Sequence, residues 1–452
     1  MVSLRSMLIA CVALPQALAA VLPSSMPTER RATTPANDPF YRPPSGFESQ
    51  AAGTVLKERR IIASFFGLLP DPVDARQLLY RSTALDGSAI ATVTTIFKPL
   101  FAKKDRVVIF NTAYDSSATK CNPSYQYQLG GSQEDLILQT EFLVLQAYLL
   151  SGYTVASSDY EGPEAAWTAG RLSGHGVLDS MRAVRNYSPK LGLVKNPMMV
   201  NVGYSGGAIA AGWAASLQPS YAPELNVKAW IMGGTPVNLT STLVNIDGTA
   251  AAGLLPGAIA GLLKPTAYGK QLGPVFASIA TPYGHAVVND GNTQCAPANA
   301  LKYPGLKFLS TKVQSLGPGL VYHPVLAPIL TENTMALNKD ETPTAPVMMY
   351  HASDDELIPY DGAVKTGKTW CDNGATVRFS TYKAGGHLTT EVVALVEAIQ
   401  FTGDAFDGTL STKCQSFTRL NDKLNPFALG LQLEPILFAL GTLLVKLAKL
   451  YQ

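Results

Sequence analysis

The chain predicts an α/β protein built on a mostly parallel sheet, and three observations predict it. Short apolar, β-branched runs alternate with stretches of helical periodicity from about residue 105 to 235 and again after Pro346. Strands that alternate with helices need crossover connections, and crossovers set neighbouring strands parallel. At 452 residues the chain suits one large domain or two ordinary ones, with ample length to bury a core. No unbroken apolar run reaches the ~18 residues that a membrane-spanning helix needs.

Each segment has its own reason. Arg5, the apolar stretch Met7 to Leu14 and the small-x-small run Ala17-Leu18-Ala19 come in the order of a secretion signal, so residues 1–19 are expected to be cleaved after Ala19. Residues 20–44 are rich in Pro, Ser and Thr, carry Glu29-Arg30-Arg31, and read as a flexible leader. The first part of the core is expected over 45–232. Its strands are Val107 to Phe110, Tyr153 to Ala156, Met198 to Val202 and Val227 to Met232, and its helices are Leu136 to Leu150, His175 to Tyr187 and Ala208 to Leu217.

From Gly233 to Pro346 the rhythm disappears, and a helical cap or lid is expected at 233–340. Its Ala250 to Leu263 stretch, almost wholly Ala, Gly, Leu, Ile and Pro, suits an element that covers something. The core resumes over 341–423, with strands Val347 to Tyr350 and Val377 to Thr381 and helices after Pro359 and Leu388. Residues 424–452 are expected to form an apolar helical segment in which Ile436, Leu437, Leu440, Leu443, Leu444, Leu447 and Tyr451 would share one face. The other face, with Phe438, Ala439, Gly441, Thr442 and Val445, is hardly polar. The segment is therefore expected to pack on the body or line a substrate site rather than lie on a membrane surface.

Composition excludes further classes. The 35 Lys and Arg against 33 Asp and Glu leave no cationic excess for phosphates, so nucleic acid is not an expected partner. Charged residues are 15%, against about 25% in an average soluble domain, which favours apolar partners. With Cys11 in the signal, Cys121, Cys295, Cys371 and Cys414 remain, and they permit three pairings. None lies at metal-ligand spacing, and export implies two disulfides rather than a zinc site. No metal or other cofactor is expected. Asn186-Tyr187-Ser188 and Asn238-Leu239-Thr240 fit the N-glycosylation triplet, Pro189 making the first the poorer acceptor.

The chemistry centres on Gly203-Tyr204-Ser205-Gly206-Gly207. A strand that reverses sharply into a helix projects the serine hydroxyl from strained backbone, and the flanking positions admit no side chain. By composition such a triplet arises by chance in roughly one chain in five, so its weight comes from context. An apolar strand precedes it and a small-residue helix follows. A serine needs a base to remove its proton, and the base needs an orienting acid. In this architecture both follow the serine in the chain. His175 precedes it, His285 lies in the insertion, His323 sits in a Pro-rich loop and His351 ends a strand. His387, in Gly385-Gly386-His387-Leu388 between a strand and a helix, is the expected base. For the acid, Ser353-Asp354-Asp355-Glu356 offers three carboxylates, and spacing does not choose among them.

Several motifs together resemble the fungal secretory lipase family over nearly the whole mature length. They are Thr112-Ala113-Tyr114-Asp115-Ser116, Asp159-Tyr160-Glu161-Gly162-Pro163, the Ser205 pentapeptide, Gly233-Gly234-Thr235-Pro236, Tyr350-His351 through Pro359-Tyr360, and Gly385-Gly386-His387. The resemblance implies an α/β-hydrolase fold with a helical cap inserted before the acid, places the acid on Asp355, and implies disulfides Cys121–Cys295 and Cys371–Cys414. The amide of Gly206 is expected in the oxyanion hole from mechanism. The resemblance adds the amide of Asp115, since the usual His-Gly-Gly-Gly donor loop is absent. The expected activity is that of a secreted serine esterase. It would act on triacylglycerol at a lipid–water interface, or alternatively on smaller esters such as acetylated secondary metabolites. A serine peptidase and a catalytically silent binding module rank below both.

Overall fold

The computed structural model describes residues 31–132, 134–383 and 385–420. The signal peptide expected at 1–19 and the apolar segment expected at 424–452 lie outside them. Ten strands form one sheet, in the order β1-β4-β5-β7-β6-β8-β9-β10-β11-β12. They are β1 (Val55–Ile61), β4 (Asp74–Thr83), β5 (Ala89–Lys98), β6 (Arg106–Asn111), β7 (Thr154–Ser158), β8 (Met198–Tyr204), β9 (Val227–Gly233), β10 (Val347–Ala352), β11 (Val377–Tyr382) and β12 (Gln415–Arg419). A separate short hairpin joins β2 (Ser64–Phe65) to β3 (Leu69–Pro70).

Every pairing from β7 through β6 to β12 is parallel. The crossover helices account for this: α1 (Leu136–Leu150), α2 (Gly170–Tyr187), α3 (Ser205–Tyr221), α10 (Tyr360–Asp372) and α11 (His387–Asp407). β1, β4, β5 and β7 pair antiparallel, an arm that the sequence pattern does not display. The reason is chemical. Gln77, Ser82, Thr92, Thr94 and Thr95 on this arm are buried, so its strands lack the unbroken apolar runs that mark β6 and β8. Their polar groups are satisfied internally, as where Ser82 Oγ donates to Asp179 and Thr92 Oγ1 to the Asp159 carbonyl.

The expected flexible leader is a correction. From Ala32 onward it is docked: the Ala32 amide donates to Gly130 O, and Phe40 and Tyr41 pack on Leu79, Ala91 and Val93. Arg59 clamps the segment, pairing with Asp38 at 2.6 Å and lying 4.1 Å over the Phe40 ring. Two aromatic rings and an ion pair outweigh the local Pro/Thr composition.

Between β9 and β10 lies the insertion, and its regular elements are helical: α4 (Leu239–Ile246), α5 (Leu255–Leu262), α6 (Gly269–Ile279), α7 (Pro282–Thr293), α8 (Ala296–Lys302) and α9 (Leu326–Glu332), with short 3₁₀ turns. It has its own apolar core around Leu243, Leu255, Val287, Phe308 and Leu320. Small residues let backbones touch. A methyl group on Gly291 would lie 2.1 Å from Pro256 O, and one on Gly261 2.1 Å from Trp167 O in the body. The cap is tied down by the Cys121–Cys295 disulfide, by Ser117 Oγ donating to Gly257 O at 2.8 Å, and by the Ala296 amide donating to Ser116 Oγ at 2.8 Å. A second disulfide joins Cys371 to Cys414.

Candidate active site

β8 ends at Tyr204 and α3 begins at Ser205, whose φ of +51° lies in the left-handed region. Such a backbone costs about 1–3 kcal/mol for a residue with a side chain and persists only where its surroundings hold it. Here the glycines permit the surroundings. A Cβ on Gly203 would meet Gly207 O at 2.2 Å, and one on Gly207 would meet Asn111 O at 1.9 Å. The turn therefore closes against β6 with no space for methyl groups, and the Ser205 hydroxyl is directed into a cavity under the cap.

The structure brings Ser205, His387 and Asp355 together. Ser205 Oγ lies 2.8 Å from His387 Nε2, and His387 Nδ1 lies 2.7 Å from Asp355 Oδ2. The side chains of His387 and Asp355 are buried, and Asp355 Oδ1 accepts the amides of Leu357 (3.0 Å) and Ile358 (2.8 Å). Of the three carboxylates left open by spacing, Asp355 is the one on the imidazole. Glu356 takes a different post, its Oε2 accepting the His387 amide at 2.9 Å at the start of α11. Tyr204 OH donates to His387 O, and Gly234 leaves room for the ring, since a Cβ there would be 2.7 Å from His387 Cε1.

Electrostatics follow from this geometry. Burial pushes the Asp355 carboxyl up, but the His387 charge and the hydrogen bonds from His351 and His387 outweigh it and hold it well below the carboxylate range. Burial pulls the His387 imidazole down, yet the charge and hydrogen bond of Asp355, with Glu356 and Glu391, raise it above its ordinary value. An imidazole so placed has its cation stabilised by the carboxylates around it.

Asp115 stands opposite, at φ +44°. A Cβ on Gly206 would fall 1.7 Å from Asp115 Oδ1, so this carboxyl lies directly against the residue after the serine. Gly206 is in the first turn of α3, where amides have no intrahelical acceptor. Asp115 and Gly206 line one cavity with Ser205. Burial pushes the Asp115 carboxyl up to about 7 against the pull of His387. The loop is held from below, where Glu141 Oε2 accepts the Ala113 amide at 3.1 Å and Tyr160 OH donates to Thr112 O at 2.7 Å.

The cavity spans about 730 Å³, open solvent at its mouth included, and its walls are chiefly apolar, with Trp167, Ile209, Leu239, Leu255, Ile259 and Leu357 among them. Cap and body share the lining. Among the described residues the one cluster of His, Cys, Asp or Glu at metal-binding distance is Cys121, Asp135 and Cys295, and its two sulfurs are bonded to each other. Of the glycosylation candidates, Asn186 is exposed and donates to Gly53 O, while Asn238 caps α4 by accepting the Ser241 amide. Sequence reasoning passed over His351, which the structure sets against Asp355, and over Glu356 as a clamp on His387. The spacing of four residues from His351 to Asp355, across a strand end, was the signal available.

Comparison with known proteins agrees with this picture. The model of the secretory lipase family matches residues 127–413. The secreted triacylglycerol lipase LIP1 of Malassezia furfur is 39% identical over 398 residues, covering 87% of this chain and 80% of its own. LIP2 of Malassezia globosa, also named a secreted triacylglycerol lipase, is 35% identical over 434 residues, with 95% and 93% covered. Among solved structures, Candida antarctica lipase A in its closed state superposes with a TM-score of 0.81 at 30% identity, covering 90% of this chain and 96% of that one. A rice cell wall degrading esterase, LipA of Xanthomonas oryzae, shares the fold alone, at 14% identity and a TM-score of 0.58. With the nucleophile turn, the inserted helical cap and this extent of similarity in hand, the chain belongs to the secretory lipase family.

Proposed function

We propose that this protein is a secreted triacylglycerol lipase that hydrolyses carboxylic esters through an acyl-enzyme on Ser205. The observation that carries the reading is the continuous relay Ser205 Oγ, His387 Nε2, His387 Nδ1, Asp355 Oδ2 opening onto an apolar cavity. The names of the Malassezia relatives support the substrate class and the export, and no helix among the described residues is long and apolar enough to cross a membrane.

The steps follow from the atoms. Ser205 Oγ attacks the ester carbonyl carbon while its proton passes to His387 Nε2. Asp355 keeps the hydrogen on Nδ1 and stabilises the imidazolium. The tetrahedral oxyanion receives the amides of Gly206 and Asp115, each donor worth ~3 kcal/mol of barrier. His387 then protonates the departing alcohol oxygen, leaving the acyl group on Ser205. Water enters, gives its proton to His387 and attacks the acyl carbon, and the fatty acid leaves as Ser205 recovers its hydrogen. Apolar walls receive the acyl chain, where each buried methylene contributes about 0.8 kcal/mol.

The test uses the whole secreted protein. A fluorophosphonate probe is expected to label it, Ser205→Ala is expected to abolish both labelling and hydrolysis, and emulsified triolein is expected to be cleaved. Efficient cleavage of soluble tributyrin with no action on triolein would replace the lipase with a small-ester esterase. Absence of labelling would remove the serine mechanism.

A further inference from the structure

We infer that His351 is a positioning residue of this site, a second imidazole that contacts the same Asp355 carboxylate oxygen as His387 and helps to fix it. The inference rests on the assignment of Ser205, His387 and Asp355 above. His351 Nε2 stands 3.2 Å from Asp355 Oδ2 and 3.1 Å from the carbonyl oxygen of Ile358. Both are acceptors, so the partners assign the ring hydrogen to Nε2. The other nitrogen, Nδ1, is buried and faces no partner, which leaves it as the bare one. His351 is wholly buried at the end of β10.

The arrangement closes a loop of contacts around one turn. Asp355 Oδ1 accepts the amides of Leu357 and Ile358, and Nε2–H of His351 faces both Asp355 Oδ2 and Ile358 O. The residues that hold the acid are thereby also those that wall the cavity, since Leu357 and Ile358 line it. Tyr360 of α10 packs edge-on against the His351 ring, with centroids 5.9 Å apart, and anchors by its hydroxyl to Thr381 Oγ1 at 2.7 Å. The titratable groups around His351 are thus Asp355 on its own side, Tyr360 from α10, and His387 of α11 beyond the shared carboxylate.

Two effects follow. The His351 N–H adds a donor to the anionic Asp355, so the carboxylate holds the His387 cation less strongly than it would alone. It also prevents Asp355 from rotating away from Nδ1 of His387. Removing the donor is expected to lower turnover by loosening that orientation, and to move the acid limb of activity upward because a less compensated carboxylate favours the imidazolium.

The experiment compares His351→Phe, which keeps a ring and deletes the donor, with His351→Gln, whose side-chain amide reaches the Nε2 position. Kinetics use a soluble p-nitrophenyl ester, and labelling by the fluorophosphonate probe is followed in parallel. The Phe variant is expected to lose about tenfold in kcat, the scale of one hydrogen bond to a charged group, with KM changing less and the acid limb rising. The Gln variant is expected to recover most of kcat and the native limb. His351→Met serves the same comparison should the Phe variant fail to fold. Equal losses in the donor-less and Gln variants, or a limb unmoved in the donor-less one, would overturn the positioning role and leave His351 structural. Loss of Ser205-dependent labelling in the unaltered protein would instead strike the parent assignment, so the two failures are distinguishable.

Discussion

On the proposed mechanism Asp115 has to satisfy two demands at once, since its amide is to serve the oxyanion while its carboxyl lies against Gly206 with Oδ1 buried and unpartnered. Burial raises that carboxyl to about 7, so it is neutral below that pH and ionised above it. An ionised Asp115 beside the Gly206 amide repels a developing oxyanion, so activity is expected to fall as pH rises through about 7. On the proposed mechanism the rising limb belongs to His387, which must be neutral to accept the serine proton. Its raised position puts that limb above the ~6.5 of a free imidazole. Asp115→Asn tolerates the left-handed backbone and cannot ionise; a kcat/KM profile of this variant is expected to keep the rising limb and lose the falling one. A falling limb unchanged in the variant would show that another group sets it. At this scale the sequence spoke unevenly. Ser205 and His387 were legible because each sits in a glycine-framed junction between a strand and a helix. Asp355 was selected only by family resemblance, since nothing local separates it from Asp354 and Glu356. For His351 the four-residue spacing to Asp355 was the one available signal, and it is a weak one because their contact depends on how the chain turns after β10.

Elements explain what single residues do not. The small residues of α5 suggested a cover, and the structure gives them a packing reason: Gly261 meets the Trp167 backbone, Gly291 of α7 meets Pro256, and Gly253 lies against Ala300. Such contacts leave no space for a methyl group without displacement. Gly261→Ala is expected to push α5 off the body and to destabilise by about 1–3 kcal/mol, as overpacked sites do. The readouts are a lower melting temperature and a weaker preference for long acyl chains, because Leu255, Ile259 and Leu262 of the same helix wall the cavity. An unchanged melting temperature would mean that the helix slides freely over Trp167. The parallel half of the sheet was legible because strands buried on both faces read as unbroken apolar runs such as Val107 to Phe110. The antiparallel arm was not, since Gln77, Ser82 and the buried threonines of β4 and β5 mask its pattern and find partners only in the folded chain.

Across the whole molecule, burial has collected carboxyl groups around the loop that carries Asp115. Burial pushes Asp115 and Asp135 up to about 7 and raises Glu141, Glu161 and Glu391 as well, and both oxygens of Glu161 lack partners. Their sign can be worked out. In the unfolded chain these groups ionise near ~4, so above that pH the folded state binds more protons than the unfolded one, and stability falls as pH rises. The full contribution is present below the unfolded values and is lost as pH passes through the folded ones. Groups shifted the other way do not offset this near neutrality. Asp355 and Glu397 are held low, so both are ionised in either state above pH ~5, and their contribution is lost only in acid. Of the histidines, His387 is raised and His175 is lowered to about 4 by burial, so their slopes have opposite signs. The carboxyls therefore set the trend, at about 1.4 kcal/mol per pH unit for each proton in excess. The melting temperature at fixed ionic strength is expected to be higher at pH 5 than at pH 8. Glu161→Gln, which cannot ionise and nearly keeps the shape, is expected to flatten that difference. A melting temperature that rises toward pH 8 would mean that water or rearrangement relieves these buried acids, and that they are ionised in the native protein.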